Sequence, residues 1–171
     1  MSADARNSFL WGPHSRVCAW TALLSFAIDQ SHKWWMLSVY HIKERGRISV
    51  APFLDLVFVL NKGVSYGLFS GLGPWLLIGF SVLTALGLWV WLARAGTGVV
   101  MAISLGLIIG GALANGLDRW LHGGVVDYFS LHAFGFYWYV FNIADAAIVA
   151  GVIGLLYDSY ITSRDDASRA A

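Results

Sequence analysis

Charged residues and cysteines are both scarce in this chain of 171 residues. Only 12% of the residues are charged, the formal net charge is +1, and no run of Lys or Arg is long enough to neutralise a phosphate backbone. Nucleic-acid binding is therefore excluded as an expected function. The single cysteine, Cys18, also excludes an internal disulfide and any cysteine-based metal cluster.

What the sequence has in abundance is apolar surface. Hydrophobic residues make up 58% of the chain and nine residues are tryptophan, a composition typical of a protein that faces lipid. A helix needs about 20 predominantly apolar residues to cross a bilayer. Four segments meet this length and are predicted spans, at approximately residues 17–40, 74–93, 98–121 and 138–160. We expect one membrane-embedded domain over residues 1–171, all-α apart from a small sheet between spans 1 and 2.

The predicted sheet and turn occupy approximately residues 46–72. The segment from Ile48 to Leu60 contains Pro52 and Asp55, is too short to cross as a helix, and alternates along its second half as a strand does. Four glycines follow between Asn61 and Gly73, which indicates a turn before the next helix.

Four spans would place both termini on one side of the membrane. The strand region, Asn61 and the segment 122–137 would then share the opposite side, so the chemically unusual residues converge at one membrane face. The distribution of Lys and Arg between the two sides does not decide which side is cytoplasmic.

Two aspartates are the main candidates for chemistry. Asp145 lies about seven residues into the fourth predicted span, where a carboxyl is costly, and Asn142 three residues earlier can hydrogen-bond it. Asp127 follows the glycine pair that closes the third span, in an apolar and β-branched stretch. A hairpin of spans three and four can bring both carboxyls together. The residues alone leave open a protonated structural Asp145 and a solvated Asp127.

Two carboxyls in a low-dielectric pocket would share one proton near neutral pH, because like charge and desolvation both raise the second pKa. The ionised member could then take a proton from water while the protonated member stabilises the oxyanion formed at a scissile carbonyl.

The end of the third span adds polar groups to this face. Asn115 is spaced to share a helix face with Asp118 and Arg119, and could hold the carboxyl pair or a substrate backbone. For Asp118 a helix-end ion pair is an equal alternative. Gly110 and Gly111 indicate close helix packing.

The remaining polar residues are less specific. Asp29 and Lys33 in the first span are spaced to form an ion pair, whereas Asn61 and Gly63 by themselves indicate only a turn. The five histidines lack metal-ligand spacing, so we expect no metal site and no cofactor.

Five motif blocks follow one another along the chain: Asp29-Gln30 with Lys33, Asn61-x-Gly63-x-Ser65-Tyr66, Gly111-Ala-Leu-x-Asn115-x-x-Asp118-Arg119, Val125-Val126-Asp127-Tyr128 and Phe141-Asn142-x-Ala144-Asp145. In order and approximate spacing they resemble the motifs of the lipoprotein signal peptidases (signal peptidase II), a family of bacterial intramembrane aspartic peptidases. Ala114 and Tyr66 depart mildly from the family pattern, where Gly and Phe are commoner.

The resemblance implies an aspartic endopeptidase of the bacterial inner membrane. Such an enzyme removes the signal peptide from prolipoproteins, cutting just before a cysteine that bears diacylglycerol. By position in the motifs, Asp127 and Asp145 are the implied catalytic dyad. The implied supporting residues are Asn61, Gly63, Asn115, Arg119 and Asn142, with Asp29 and Lys33 as a pair in the first span.

The resemblance also implies cytoplasmic termini and an active site near the periplasmic or outer leaflet. We expect a monomer whose partners are the lipidated prolipoprotein and membrane lipid. The alternative function is a small ion or proton transporter, because intramembrane carboxylates also mark ion pathways.

Overall fold

The computed structural model describes residues 10–63, 73–95 and 98–170. The elements, in chain order, are α1 (Ser15–Ser38), α2 (Ile42–Arg45), β1 (Ile48–Ala51), β2 (Leu54–Asn61), α3 (Pro74–Ala95), α4 (Val99–His122), β3 (Val125–Ala133), β4 (Phe136–Phe141) and α5 (Ile143–Ala170). Most of the predicted turn, including Ser65 and Tyr66, lies outside the described residues.

Helix α4 is the centre of the helical bundle and packs against α1, α3 and α5. A core of small and aliphatic residues, including Cys18, Ala102 and Leu105, joins α4 to its neighbours. Two adjacent glycines let α1 and α5 approach α4 at the same level. A Cβ atom on Gly110 would collide with the Ala22 carbonyl oxygen, and one on Gly111 would lie 2.6 Å from the Ala144 carbonyl oxygen. The packing role expected for this glycine pair is therefore confirmed.

Three helices of the described chain are long and apolar enough to cross a membrane: Pro74–Arg94, Val99–His122 and Ile143–Arg164. Helix α1 has 24 residues but contains Asp29, His32 and Lys33, which lower its apolar character. Composition and length thus support three of the four predicted spans. The protein is a mostly helical, membrane-type structure with one small sheet.

The sheet is larger than the sequence indicated. It has four antiparallel strands in the order β1-β2-β3-β4, and Pro52 and Phe53 separate β1 from β2. The prediction that the sheet lies between the first two spans was incomplete, since β3 and β4 come from the segment between α4 and α5. Pairing of Leu60 with Val126 and of Val59 with Asp127 joins the two halves.

The predicted start of the fourth span at residue 138 was wrong. Residues Trp138 to Phe141 form part of β4, which pairs with β3 through Phe129 and Phe141, and α5 begins at Ile143. A run rich in aromatic residues favours a strand, yet its apolar character alone does not distinguish a strand from a buried helix. Asp145 consequently lies in the first turn of α5 and not seven residues into a helix.

The close contact at Gly111 predicts that two glycine-to-alanine substitutions will differ in their effect on the stability of the fold. Gly111→Ala places a methyl group against backbone and against Ile148, so we expect it to destabilise the fold by about 1–3 kcal/mol through overpacking. Gly87→Ala in α3 is the matched control, because a Cβ there meets nothing within 4 Å and alanine favours helix. Thermal unfolding in detergent measures both variants, and equal melting temperatures would contradict the packing role of Gly111.

Candidate functional site

One hydrogen-bonded network, where the sheet meets α1, α4 and α5, contains every site residue that the sequence predicted. Its members are Asp29, Lys33, Asn61, Gly63, Asn115, Arg119, Asp127, Asn142 and Asp145. The network draws on five elements, α1, β2, α4, β3 and α5, and on two residues outside them, Gly63 and Asn142. The structure therefore brings together residues up to 116 positions apart in the sequence, from Asp29 to Asp145.

Asp127 lies within strand β3 and is only 1% exposed, so the alternative of a solvated loop residue does not hold. Both of its carboxyl oxygens accept hydrogen bonds from side-chain amides. Asn61 Nδ2 donates to Oδ2 at 3.1 Å, and Asn142 Nδ2 donates to Oδ1 at 2.6 Å. Asn61 is held in turn by the Gly63 backbone amide, which donates to Asn61 Oδ1 at 3.1 Å.

Asp145 takes part in the N-terminal cap of α5. Asn142 precedes the helix, and its Oδ1 accepts a hydrogen bond from the Asp145 backbone amide at 2.9 Å. The Asp145 carboxylate reaches back to the Asn142 backbone amide at 3.3 Å. This reciprocal pattern is a capping box, in which two backbone donors at the helix start are satisfied by side chains three residues apart.

Asn142 therefore contacts both aspartates with one side chain. Its oxygen caps the helix that carries Asp145, while its amide nitrogen donates to Asp127. The same nitrogen lies 3.2 Å from Asn115 Oδ1. Because Asn115 Oδ1 also accepts from Lys33, the Asn115 amide nitrogen faces Asp145 and donates to its Oδ1 at 2.8 Å.

Burial, together with the nearby charge of Asp145, raises the pKa of Asp127 to about 7. Hydrogen bonds from Asn61 and Asn142 oppose this shift but do not cancel it. The Asp127 carboxyl can therefore be protonated near neutral pH, where an ordinary aspartate is fully ionised.

Arg119 connects α4 to the chain after β2. Its Nη2 donates to the Gly63 carbonyl oxygen at 2.9 Å, and its Nη1 donates to the Asn115 carbonyl oxygen at 3.1 Å. The guanidinium thus fixes the segment that carries Asn61 and adds positive charge beside Asp127 and Asp145.

Lys33 is buried in an ionic cluster with two carboxylates. Its Nζ lies 2.7 Å from Asp29 and 2.7 Å from Asp118, and all three side chains are at most 3% exposed. The i,i+4 pair expected from the sequence is present. Asp29 also accepts a hydrogen bond from the Ala144 backbone amide at 2.8 Å, so this cluster reaches the first turn of α5.

Sequence reasoning assigned no role to one member of this cluster, Gln30, and left two alternatives open for another, Asp118. Asp118, for which a helix-end ion pair was one alternative, pairs with Lys33 and accepts a hydrogen bond from the Val126 backbone amide at 3.0 Å. Gln30 donates to Asp118 at 2.8 Å. Their partners lie on other elements, so spacing along the chain gave no signal for these contacts, although both residues stand in the motif blocks.

The network opens on a cleft between α3, α4 and α5 with a volume of about 360 Å³. Asn61, Asn115, Arg119 and Asp145 form its polar end, and side chains of α3 such as Leu77 and Phe80 form its apolar wall. This shape suits an apolar polypeptide with a carbonyl presented to Asp145. Across the described residues no three His, Cys, Asp or Glu side chains are grouped as a metal site.

Comparison with known proteins gives consistent matches. Residues 21–161 match the family model described as signal peptidase (SPase) II. A lipoprotein signal peptidase of Methylorubrum extorquens (strain PA1) is 50% identical over 140 residues, which cover 80% of this chain and 81% of that protein. One from Methylobacterium sp. (strain 4-46) is 48% identical over 152 residues, covering 86% and 92%.

A solved structure described as a bacterial membrane enzyme superposes with a TM-score of 0.76 at 26% identity, covering 90% of this chain and 91% of that one. A second structure with the same description gives a TM-score of 0.70 at 27% identity, over 82% and 90%. The family model matches most of this chain, and relatives of the family are about half identical to it. This chain therefore belongs to the signal peptidase II family, the lipoprotein signal peptidases.

Proposed function

We propose that this protein is an aspartic endopeptidase that cleaves the signal peptide from prolipoproteins just before a diacylglyceryl-modified cysteine. Family membership makes it a peptidase and an integral membrane protein of the inner membrane that acts on prolipoproteins. The proposal adds the catalytic dyad, Asp127 and Asp145, and the lipid on the substrate. The observation that carries it is the side chain of Asn142, which connects Asp127 to Asp145, and Asp145 lies at the polar end of a cleft.

In the proposed mechanism the dyad holds one proton. The ionised carboxylate takes a proton from a water molecule, the water oxygen attacks the scissile carbonyl, and the protonated carboxyl donates a hydrogen bond to the developing oxyanion. The same groups then return a proton to the leaving amine. The raised pKa of Asp127 supports this shared-proton state near neutral pH.

The supporting residues have positioning roles in this proposal. Asn61 and Asn142 orient Asp127, and Asn115 orients Asp145. Arg119 fixes the Gly63 backbone beside the cleft. The cluster of Asp29, Lys33 and Asp118 attaches α1 to α4 and to the first turn of α5.

We further propose that α1 is a fourth span. Its charged residues Asp29 and Lys33 are buried against α4 and α5 and do not face outward, so they do not oppose insertion as lipid-exposed charges would. With four spans both termini lie in the cytoplasm and the dyad lies near the periplasmic or outer leaflet. The protein acts as a monomer in contact with membrane lipid.

Membership in a peptidase family argues against the transporter alternative. The buried charged groups also concentrate at one end of the bundle. Below the network, the described part of α4 from Val99 to Ala114 contains no charged residue, so α4 offers no continuous ionisable path along its length.

Replacing either dyad residue by Asn should abolish cleavage. Asp127→Asn and Asp145→Asn keep the side-chain shape but remove the proton transfer, so we expect kcat to fall by about 10²–10⁴-fold or more. The measurement is cleavage of a diacylglyceryl-modified prolipoprotein by purified enzyme in lipid vesicles. Asp158→Asn, farther along α5, is the control and should keep wild-type activity. Normal cleavage by either dyad variant would overturn the assignment.

The activity should also depend on pH in a defined direction. Because burial raises the pKa of Asp127 to about 7, the shared proton is present below that pH and is lost as the pH rises through it. We expect kcat/KM to fall above about pH 7 and to fall again in acid, when the second carboxylate protonates. A rate that climbs steadily from about pH 6 to about pH 9 would be incompatible with a dyad that needs one proton.

Asn142 allows its two roles to be separated. Asn142→Ser retains an oxygen that caps helices well but lacks the amide nitrogen that donates to Asp127, whereas Asn142→Ala loses both groups. We expect both variants to lose about 10²-fold in kcat through misplacement of the dyad. Only the alanine variant should also lose about 1 kcal/mol of stability. Wild-type kcat in the serine variant would show that the contact to Asp127 is dispensable.

A further inference from the structure

The turn between β3 and β4 holds a bulky residue in a backbone conformation that such residues rarely adopt. Phe134 has φ +52° and the next residue, Gly135, has φ +80°. Positive φ at both central positions of a two-residue hairpin turn favours Asn-Gly, Asp-Gly or Gly-Gly. Phenylalanine at the first position therefore destabilises the turn.

Packing within the protein does not offset this cost, because the Phe134 side chain is fully exposed at 106% of its reference area. The next two residues on the same face of β4 are also exposed aromatics. Phe136 and Trp138 are 58% and 47% exposed, and their rings contact each other edge to face at 5.4 Å. We call Phe53, Phe134, Phe136 and Trp138 the aromatic tip.

Phe53 belongs to the tip because the turn between β1 and β2 lies at the same end of the sheet. The His132 backbone amide donates to the Phe53 carbonyl oxygen at 2.9 Å, and Phe53 is 58% exposed. The tip therefore combines both turns of the sheet with one face of β4.

Strand β4 is an edge of the sheet that the described residues form, and none of its six residues is charged. Exposed edge strands of soluble proteins usually carry charges or proline that prevent association with other strands. An uncharged aromatic edge is suited instead to an apolar environment that offers no competing strand.

The position of β4 indicates what that environment is. Phe141, the last residue of β4, is separated from α5 by Asn142 alone. Trp138, Tyr139 and Phe141 line an open groove with Val149 and Ile153 of α5, and the groove is apolar except for Asp145. Val149 and Ile153 are 49% and 61% exposed on a helix long and apolar enough to span a membrane. The outer surface of β4 thus continues the lipid-facing surface of α5.

From the strained Phe134, the uncharged edge and this continuity, we infer that the aromatic tip inserts into the lipid leaflet at the sheet end of the bundle. Its partner is the interfacial region of a phospholipid bilayer, where aromatic side chains are favoured. Arg47 lies over the Tyr137 ring at 4.9 Å and pairs with Asp55, which places charged groups beside the tip at the level of polar headgroups. The inference goes beyond the proposed function and does not depend on the dyad.

Spin labelling in vesicles tests the inference directly. A nitroxide is attached at Phe134→Cys in a Cys18→Ala background, and the protein is reconstituted in phosphatidylethanolamine and phosphatidylglycerol vesicles. Leu83→Cys on α3, where Leu83 is 69% exposed, is the lipid reference, and Glu44→Cys on exposed α2 is the aqueous reference. We expect the label at residue 134 to collide with oxygen in preference to a water-soluble nickel chelate, as the lipid reference does.

Two results would overturn the inference. One is nickel accessibility at residue 134 equal to that of the aqueous reference. The other is dipolar broadening between labels on different molecules, which would show that the tip contacts a second copy and not lipid.

A second variant separates insertion from backbone strain. Asn is favoured at a positive-φ turn position, so Phe134→Asn should unfold in detergent at the same temperature as wild type or higher. In vesicles the same substitution should make a nitroxide at Phe136→Cys more accessible to the nickel chelate, because an apolar side chain that holds the turn in the bilayer is lost. An unchanged label environment at residue 136 would contradict the role of Phe134.

Discussion

The side chain of Asn142 connects the three parts of the structure on which the candidate site depends. Its oxygen caps α5 at the Asp145 backbone amide, and its nitrogen donates to Asp127 on β3 and approaches Asn115 on α4. Serine or aspartate can cap a helix, but an amide carries its acceptor and its donors on two separate atoms, so one can face the helix while the other faces a carboxylate. The relative position of the two carboxyls is therefore set by one residue whose own orientation is determined by the helix start.

Placing this chemistry within an apolar bundle requires that the charges be compensated. The network contains four carboxylates, from Asp29, Asp118, Asp127 and Asp145, and two cations, from Lys33 and Arg119. Lys33 pairs directly with Asp29 and Asp118, and the positive charges of both Lys33 and Arg119 also act on the proposed dyad. A proton shared between Asp127 and Asp145 reduces the remaining negative charge, which agrees with the raised pKa of Asp127. The close packing at Gly110 and Gly111 keeps α1 and α5 near enough to α4 for these contacts to form.

Much of this arrangement could be predicted from the sequence, and the errors have physical causes. Apolar run lengths identified three helices, and the motif order identified the residues of the network. The start of α5 was misplaced because Trp138 to Phe141 are as apolar as a span, although they form an edge strand. The correct signal was present, since Asn142 and Asp145 have the spacing of a capping box before an apolar run. The pairing of β2 with β3 and of Lys33 with Asp118 could not be predicted, because both join segments distant in sequence.

The most direct test of the account is the protonation state of the dyad itself. Infrared difference spectra at about pH 6, taken between wild type and each of Asp127→Asn and Asp145→Asn, count the carboxylic acid groups that the pair contributes. The account predicts one protonated carboxyl in the wild type, which is lost as the pH rises through about 7. In Asp145→Asn the neighbouring charge is gone but Asp127 stays buried, so its carboxyl should lose its proton at a lower pH than in the wild type. Two ionised carboxylates already at about pH 6 in the wild type, or an unchanged titration in Asp145→Asn, would contradict a dyad that shares one proton.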